Sequence, residues 1–189
     1  MRSFSGILIV VLCFFAAAAN AQSRDYLTDP EIELVRDAQQ INDRMDVLAH
    51  AIDRRLVVLG SQSAPIKKEK DSWGPMPAGT RIQLFNDIKN ILQKAIDDID
   101  NLSERPDSLV VDPDAQKEGR KVKGFSDLFP KAVRSLAGSA ARFEPIFKAE
   151  LDKSTDNMEK GLLLASIDMC DQITASVAKL PAEIKKAKH

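Results

Sequence analysis

The 189-residue sequence carries 27 basic and 28 acidic side chains, a formal net charge of −1, with 44% hydrophobic and 5% aromatic residues. That balance, with a pI near 6.2, excludes the basic face or high pI of a nucleic-acid binder. Cys13, Cys170, His50 and His189 are the only cysteines and histidines, too few for a disulfide framework or a histidine-built metal cage.

Residues 1–21 read as a secretory signal peptide. Arg2 supplies the positive start, an apolar and small-residue run extends from Gly6 to Ala19, and Ala19-Asn20-Ala21 is a small-x-small cleavage site. The run is shorter than the roughly 20 apolar residues a membrane span needs, and no later stretch reaches that length. Cys13 follows Leu12, which argues against a lipid anchor. Cleavage before Gln22 leaves a net charge of −2 and one cysteine, Cys170. About 168 residues remain (22–189), enough for one domain with a sizeable core. An exported chain without an internal disulfide points to a periplasmic or extracellular address, most naturally bacterial.

The mature chain opens on a polar lead with Tyr26. Residues 28–59 then read as one long helix. Thr28 and Glu31 form a capping box, and Pro30 sits in the first turn. Leu34, Ala38, Ile41, Met45, Leu48, Ile52, Leu56 and Leu59 mark its apolar stripe, and Gly60 supplies a left-handed stop. Residues 61–79 are a Pro-, Gly- and Lys-rich connection holding Trp73, the sole tryptophan. The connection leaves the next helix free to run in either direction.

Thr80 caps the second helix, which runs to about Leu102. Its broad apolar face includes Leu84, Phe85, Ile88, Ile91, Leu92, Ala95 and Ile96, wide enough for more than one neighbour. Residues 104–124 have no clear period and are expected to be partly disordered. The third helix starts between Ser126 and Pro130, with a kink expected near Phe143–Glu144, where Pro145 removes a backbone donor. A short link follows, so a fourth helix, from about Thr155 to Leu180, should pack antiparallel to it. Its expected stripe is Met158, Leu162, Ala165, Met169 and Ile173. Pro181 ends it, before a basic tail. The fold class predicted is all-α: an elongated four-helix bundle with two long irregular connections.

Motifs with chemistry are sparse. His50 has Val47 three residues before it, so the Glu-x-x-His motif of bundle metal sites is absent. A haem held by His50 with Met158 or Met169 is disfavoured, because methionines at helical spacing are core fillers. Cys170 has acids at Asp168 and Asp171, the wrong neighbours for a thiolate. The Asp97, Asp98 and Asp100 cluster matches no calcium loop and reads as a solvated face. Residues 137–141 are all small, which suits close helix approach. Trp73 is expected to cap the bundle end, with partner binding as its alternative role.

One polar feature is expected inside the bundle. Arg55 breaks the first stripe and Asp168 the fourth, so Arg55, or Arg54 in its stead, should meet Asp168 or Asp171. The function expected is non-catalytic binding or scaffolding, with a protein as the partner class. Trp73, Arg55, Asp168 and Asp171 are the candidate binding residues, and no catalytic residue, metal or cofactor is assigned. The alternative is a carrier of a small apolar ligand, or of metal or haem, in the bundle core.

Overall fold

A computed structural model describes residues 24–61, 71–106 and 124–180. The expected signal peptide, the charged run at 62–70, most of the 104–124 connection and the basic tail lie outside the described residues. Those that are described form an all-helical structure, with no strand among them.

The first long helix is in fact two. α1 spans Asp29–Asp37 and α2 spans Ile41–Val58. α1 opens on the expected capping box: Thr28 Oγ1 accepts from Glu31 N, and Glu31 Oε2 accepts from Thr28 N at 2.9 Å. The chain leaves helical geometry at Ala38, with ψ at 76°, and Arg44 Nε donates to the Ala38 carbonyl at 3.1 Å. The reason for the break lies downstream. In one straight helix Glu31 and Arg54 would stand roughly 35 Å apart at 1.5 Å per residue. With α1 folded back they make a direct ion pair. Gly60, at φ 69°, closes α2 with the paired bonds Gly60 N to Val57 O and Ser61 N to Leu56 O, a Schellman stop.

α3, Arg81–Glu104, begins at a Thr80–Gln83 capping box and buries the predicted face. α4, Phe125–Lys153, starts one residue before the expected window and runs without interruption through Pro130 and Pro145. Pro145 and Ala141 are both exposed. Water can therefore take the carbonyl that Pro145 leaves without a donor, and the helix survives there. Within the small-residue run of α4, Ala137 and Ala140 are buried, while Gly138 faces open space. Residues 154–156 turn the chain into α5, Asn157–Ser176, whose N-cap Asp156 accepts from Met158 N and Glu159 N. A 3-10 turn, Val177–Lys179, ends it.

Side-chain pairs between helices fix the directions. α2 and α4 run parallel, since Ser135 meets Asp46 and Arg142 meets Asp53. α2 and α3 are antiparallel, since Arg44 lies 4.0 Å from Asp98 and Arg55 3.7 Å from Asp87. Arg81 at the start of α3 reaches Glu150 near the end of α4 and Glu159 at the start of α5. α3 and α5 are therefore parallel, and α4 runs against both. The packing order is α2–α3–α5–α4 and back to α2, and α3 also meets α4 across the middle. Leu48, Ile88, Ile91, Leu92, Phe143 and Phe147 are fully buried at its centre.

The face of α5 is the main departure in packing. Leu163, Ser166, Ile167, Cys170 and Ile173 point inward, while Met158 is 65% exposed. The true stripe is shifted by about one residue from the expected one. Leu162, Leu163 and Leu164 are consecutive, so apolar residues surround this helix and periodicity alone leaves its rotation ambiguous.

Candidate functional site

Three polar features lie on this frame. The first is a buried ion network. Arg54 and Arg55 are 0% and 1% exposed, and Glu31 and Asp87 are buried beside them. Arg54 donates to Glu31 Oε1 at 2.7 Å and to the carbonyls of Gly74 and Pro75 at 3.0 and 2.8 Å. Arg55 donates to both Glu31 oxygens at 3.0 and 2.8 Å, and to the carbonyls of Ala51 and Tyr26. Arg24 forks onto Asp87 at 3.1 and 2.8 Å and bonds the Ala78 carbonyl. Three guanidinium groups thus face two carboxylates, backbone carbonyls from several segments take further terminal N–H donors, and Arg55 Nε lies 3.7 Å from Asp87 without a hydrogen bond. That supplies the partners without which buried charge is prohibitively costly.

The network ties the lead at residues 24–27, α1, α2, the 74–78 loop and α3 into one unit. Gly74 makes the loop's approach feasible: at φ 63° a Cβ there would fall 2.6 Å from Pro30 Cγ. Burial alone would raise the Glu31 carboxyl, but hydrogen bonds and charge from Arg55, with help from Thr28 and Arg54, hold it below its usual range. At Asp87 burial wins over Arg24 and Arg55, and its carboxyl is pushed up to about 6.

The partner expected for Arg55 is therefore replaced. Asp168 and Asp171 are exposed on α5, and Arg55 is held by Glu31 instead. An arginine facing the α2–α3 seam cannot reach the outward face of α5, which lies diagonally across from α2. Glu31 was legible only as a capping residue; its second role needs the break at Ala38, which no Gly or Pro announces. Trp73 is half-buried, edge-on to His50 with ring centroids 4.3 Å apart, and the Arg54 guanidinium lies 5.5 Å from its ring. It caps the network.

The second feature is an open cleft of about 490 Å³ where α3 and α5 begin and α4 ends. Arg81 bridges Glu150 and Glu159 at 2.9 and 2.8 Å, and Lys153 joins Glu150 at 3.0 Å. Its charges are largely matched among themselves. The third is an open groove of about 440 Å³ along α3, lined by Tyr26 from the lead and by Asn90, Gln93, Lys94, Asp97, Asp98 and Asn101. Tyr26 is held there through its carbonyl by Arg55. Its hydroxyl is raised above its ordinary value, chiefly by burial, then by Asp25, Asp98 and Asp97.

A small half-open hollow of about 50 Å³ lies between Ile96, Ile99, Leu136 and Ile173, with Asp100, Gln172 and Ser176 at its mouth. Cys170 is buried, and desolvation, with Glu144 and Asp171 nearby, pushes its thiol up to about 12. Among the described residues no group of three or more His, Cys, Asp or Glu side chains is placed to hold a metal ion, and no helix is long and apolar enough to cross a membrane. No family model matches the chain, and neither a curated protein nor a solved structure shows significant similarity to it.

Proposed function

We propose that this chain is an exported four-helix bundle, built from α2 to α5 with α1 and the 24–27 lead strapped across it, and that it acts by reversible binding without covalent chemistry. The observation that carries this reading is the pair of open polar clefts of ligand size on the outside, of about 490 and 440 Å³. Among the described residues the hollow beside Ile96, Leu136 and Ile173, about 50 Å³, is well below the roughly 150 Å³ that admits a benzene-sized guest, which weighs against that hollow as a carrier site. Cys170, the residue best suited to covalent catalysis, is held as a neutral thiol away from solvent, and thiolate character is what reactivity requires. Export rests on Arg2, the apolar run and Ala19-Asn20-Ala21.

Two measurements test the proposal. Mass spectrometry of the chain expressed with residues 1–21 in a bacterial host should find a periplasmic or secreted species beginning at Gln22; retention of residues 1–21 would overturn export. Thermal melts of that species against a panel of sugars, amino acids, peptides and divalent cations should show a reversible, concentration-dependent rise in Tm with no change in mass. Turnover of a panel member or a covalent adduct would overturn the non-catalytic reading.

A further inference from the structure

We propose that the groove between Tyr26 and α3 binds a neutral oligosaccharide, an inference that rests on the binding reading above and names its ligand class. The starting observation is a conflict between local propensity and structure. Exposed helix positions are normally filled with good helix formers such as Ala, Glu, Lys and Gln. The groove face of α3 instead carries Asn90, Asp97, Asp98 and Asn101, with Gln93 and Lys94 as the good formers. Asn and Asp rank among the poorer helix residues. Breaches of local consistency that packing does not explain concentrate at functional positions.

Spacing and charge then indicate what the groove takes. Asn90, Gln93, Asp97 and Asn101 follow one another at three- and four-residue steps, so polar groups recur about every 5–6 Å along the helix, roughly one pyranose unit apart. Carboxamides offer both donors and acceptors and the carboxylate offers acceptors, the pairing that sugar hydroxyls satisfy. Gln93 Nε2 donates to Asp97 Oδ1 at 2.8 Å, and Asn101 Oδ1 accepts from Arg105 at 3.1 Å, so neighbouring bonds position these groups. Asp98 pairs with Lys94 at 3.2 Å and lies 4.0 Å from Arg44. Lys94 against Asp97 and Asp98 leaves the lining slightly negative, which disfavours a phosphate and is too weak a charge to select a polycation, so an uncharged ligand fits best. Tyr26 lines one end, half-buried against the edge of the core, where an aromatic ring would meet a sugar's C–H face. The buried network fixes that ring, because Arg55 grips the Tyr26 carbonyl at 2.6 Å and Arg24 anchors the lead to Asp87.

The test is isothermal titration of the full mature chain with three neutral tetrasaccharides: β-1,4-linked glucose, β-1,4-linked N-acetylglucosamine and α-1,4-linked glucose. At least one should bind with a Kd of about 1 mM or tighter. The double substitution Asn90→Ala with Asn101→Ala should raise Tm by about 2–5 °C, because alanine is the better helix former, and should weaken binding at least tenfold. Tyr26→Ala should weaken it similarly. Stabilisation with binding unchanged would show a merely solvated helix face and overturn the proposal. If no tetrasaccharide binds but a peptide or cation of the wider panel does, the sugar assignment fails and the binding reading stands. If nothing on the panel binds, both fail.

Discussion

Glu31 does two things with one carboxylate. It closes the N-cap of α1 and neutralises both Arg54 and Arg55 at 0% exposure. Stripping one partner from a buried ion pair costs about 3–5 kcal/mol, because the remaining charge has no solvent to turn to. Glu31→Ala should therefore destabilise the fold by at least that much in urea melts, since here two cations lose their partner. A loss under 1 kcal/mol would mean that the arginines are hydrated. Glu31→Gln should be milder, because it preserves capping and an acceptor. Cys170 gives a second check on a single side chain. With its thiol pushed up to about 12 and no exposure, the native protein at pH 8 should resist iodoacetamide and react fully only in denaturant. Alkylation at the same rate in both states would show that α5 does not bury it.

At the level of elements, α3 was legible almost completely, because Thr80, Gln83 and a clean 3.6-residue pattern agree with one another. α5 was legible in extent and wrong in rotation. Leu162, Leu163 and Leu164 satisfy several stripes at once, and the choice between them is made by neighbours: Glu159 turns inward to Arg81, which carries Leu163 and Cys170 with it. Leu163→Ala should then cost about 2–5 kcal/mol as a core truncation, while Met158→Ala should stay within about 0.5 kcal/mol as a surface change. The reverse ranking in denaturant melts would restore the stripe read from Met158. The split between α1 and α2 was hidden for a different reason. Ala38, Gln39 and Gln40 are compatible with a helix, and the ion pairs that favour the break lie 23 and 24 residues away in sequence. Long-range ion pairing leaves no local mark, so Arg55 was recognisable as an anomaly within an apolar stripe while its partner was not.

For the whole molecule, the directions of α2 to α5 bring two sets of buried charges to the same end, near the start of α3, where Asp87 and Arg81 lie within two turns of each other. Within the Arg54–Arg55 network the pH responses of its two carboxylates differ in sign. Glu31 has a folded pKa below its ordinary value, so its contribution is present above about pH 4.5 and is lost as pH falls through the lowered value. Asp87 is raised, from 3.8 to about 6, by burial that Arg24 and Arg55 only partly offset. The native state therefore holds this proton more tightly than the unfolded chain does. The contribution of Asp87 is fully present below pH 3.8 and disappears as pH rises through about 6. Above about pH 4.5 Glu31 is ionised while Asp87 is still giving up its proton, so folding stability should decline from pH 5 to pH 7 by an amount on the order of 1 kcal/mol. Asp87→Asn mimics the protonated acid and should flatten that decline, raising stability at pH 7 toward the value at pH 5. Urea melts of both proteins at half-unit steps from pH 4 to 8 decide the matter. A wild-type curve that rises from pH 5 to 7 would mean that Arg24 and Arg55 outweigh burial at Asp87. The lead carrying Tyr26 would then be held most firmly at neutral pH, and sugar affinity should rise with it.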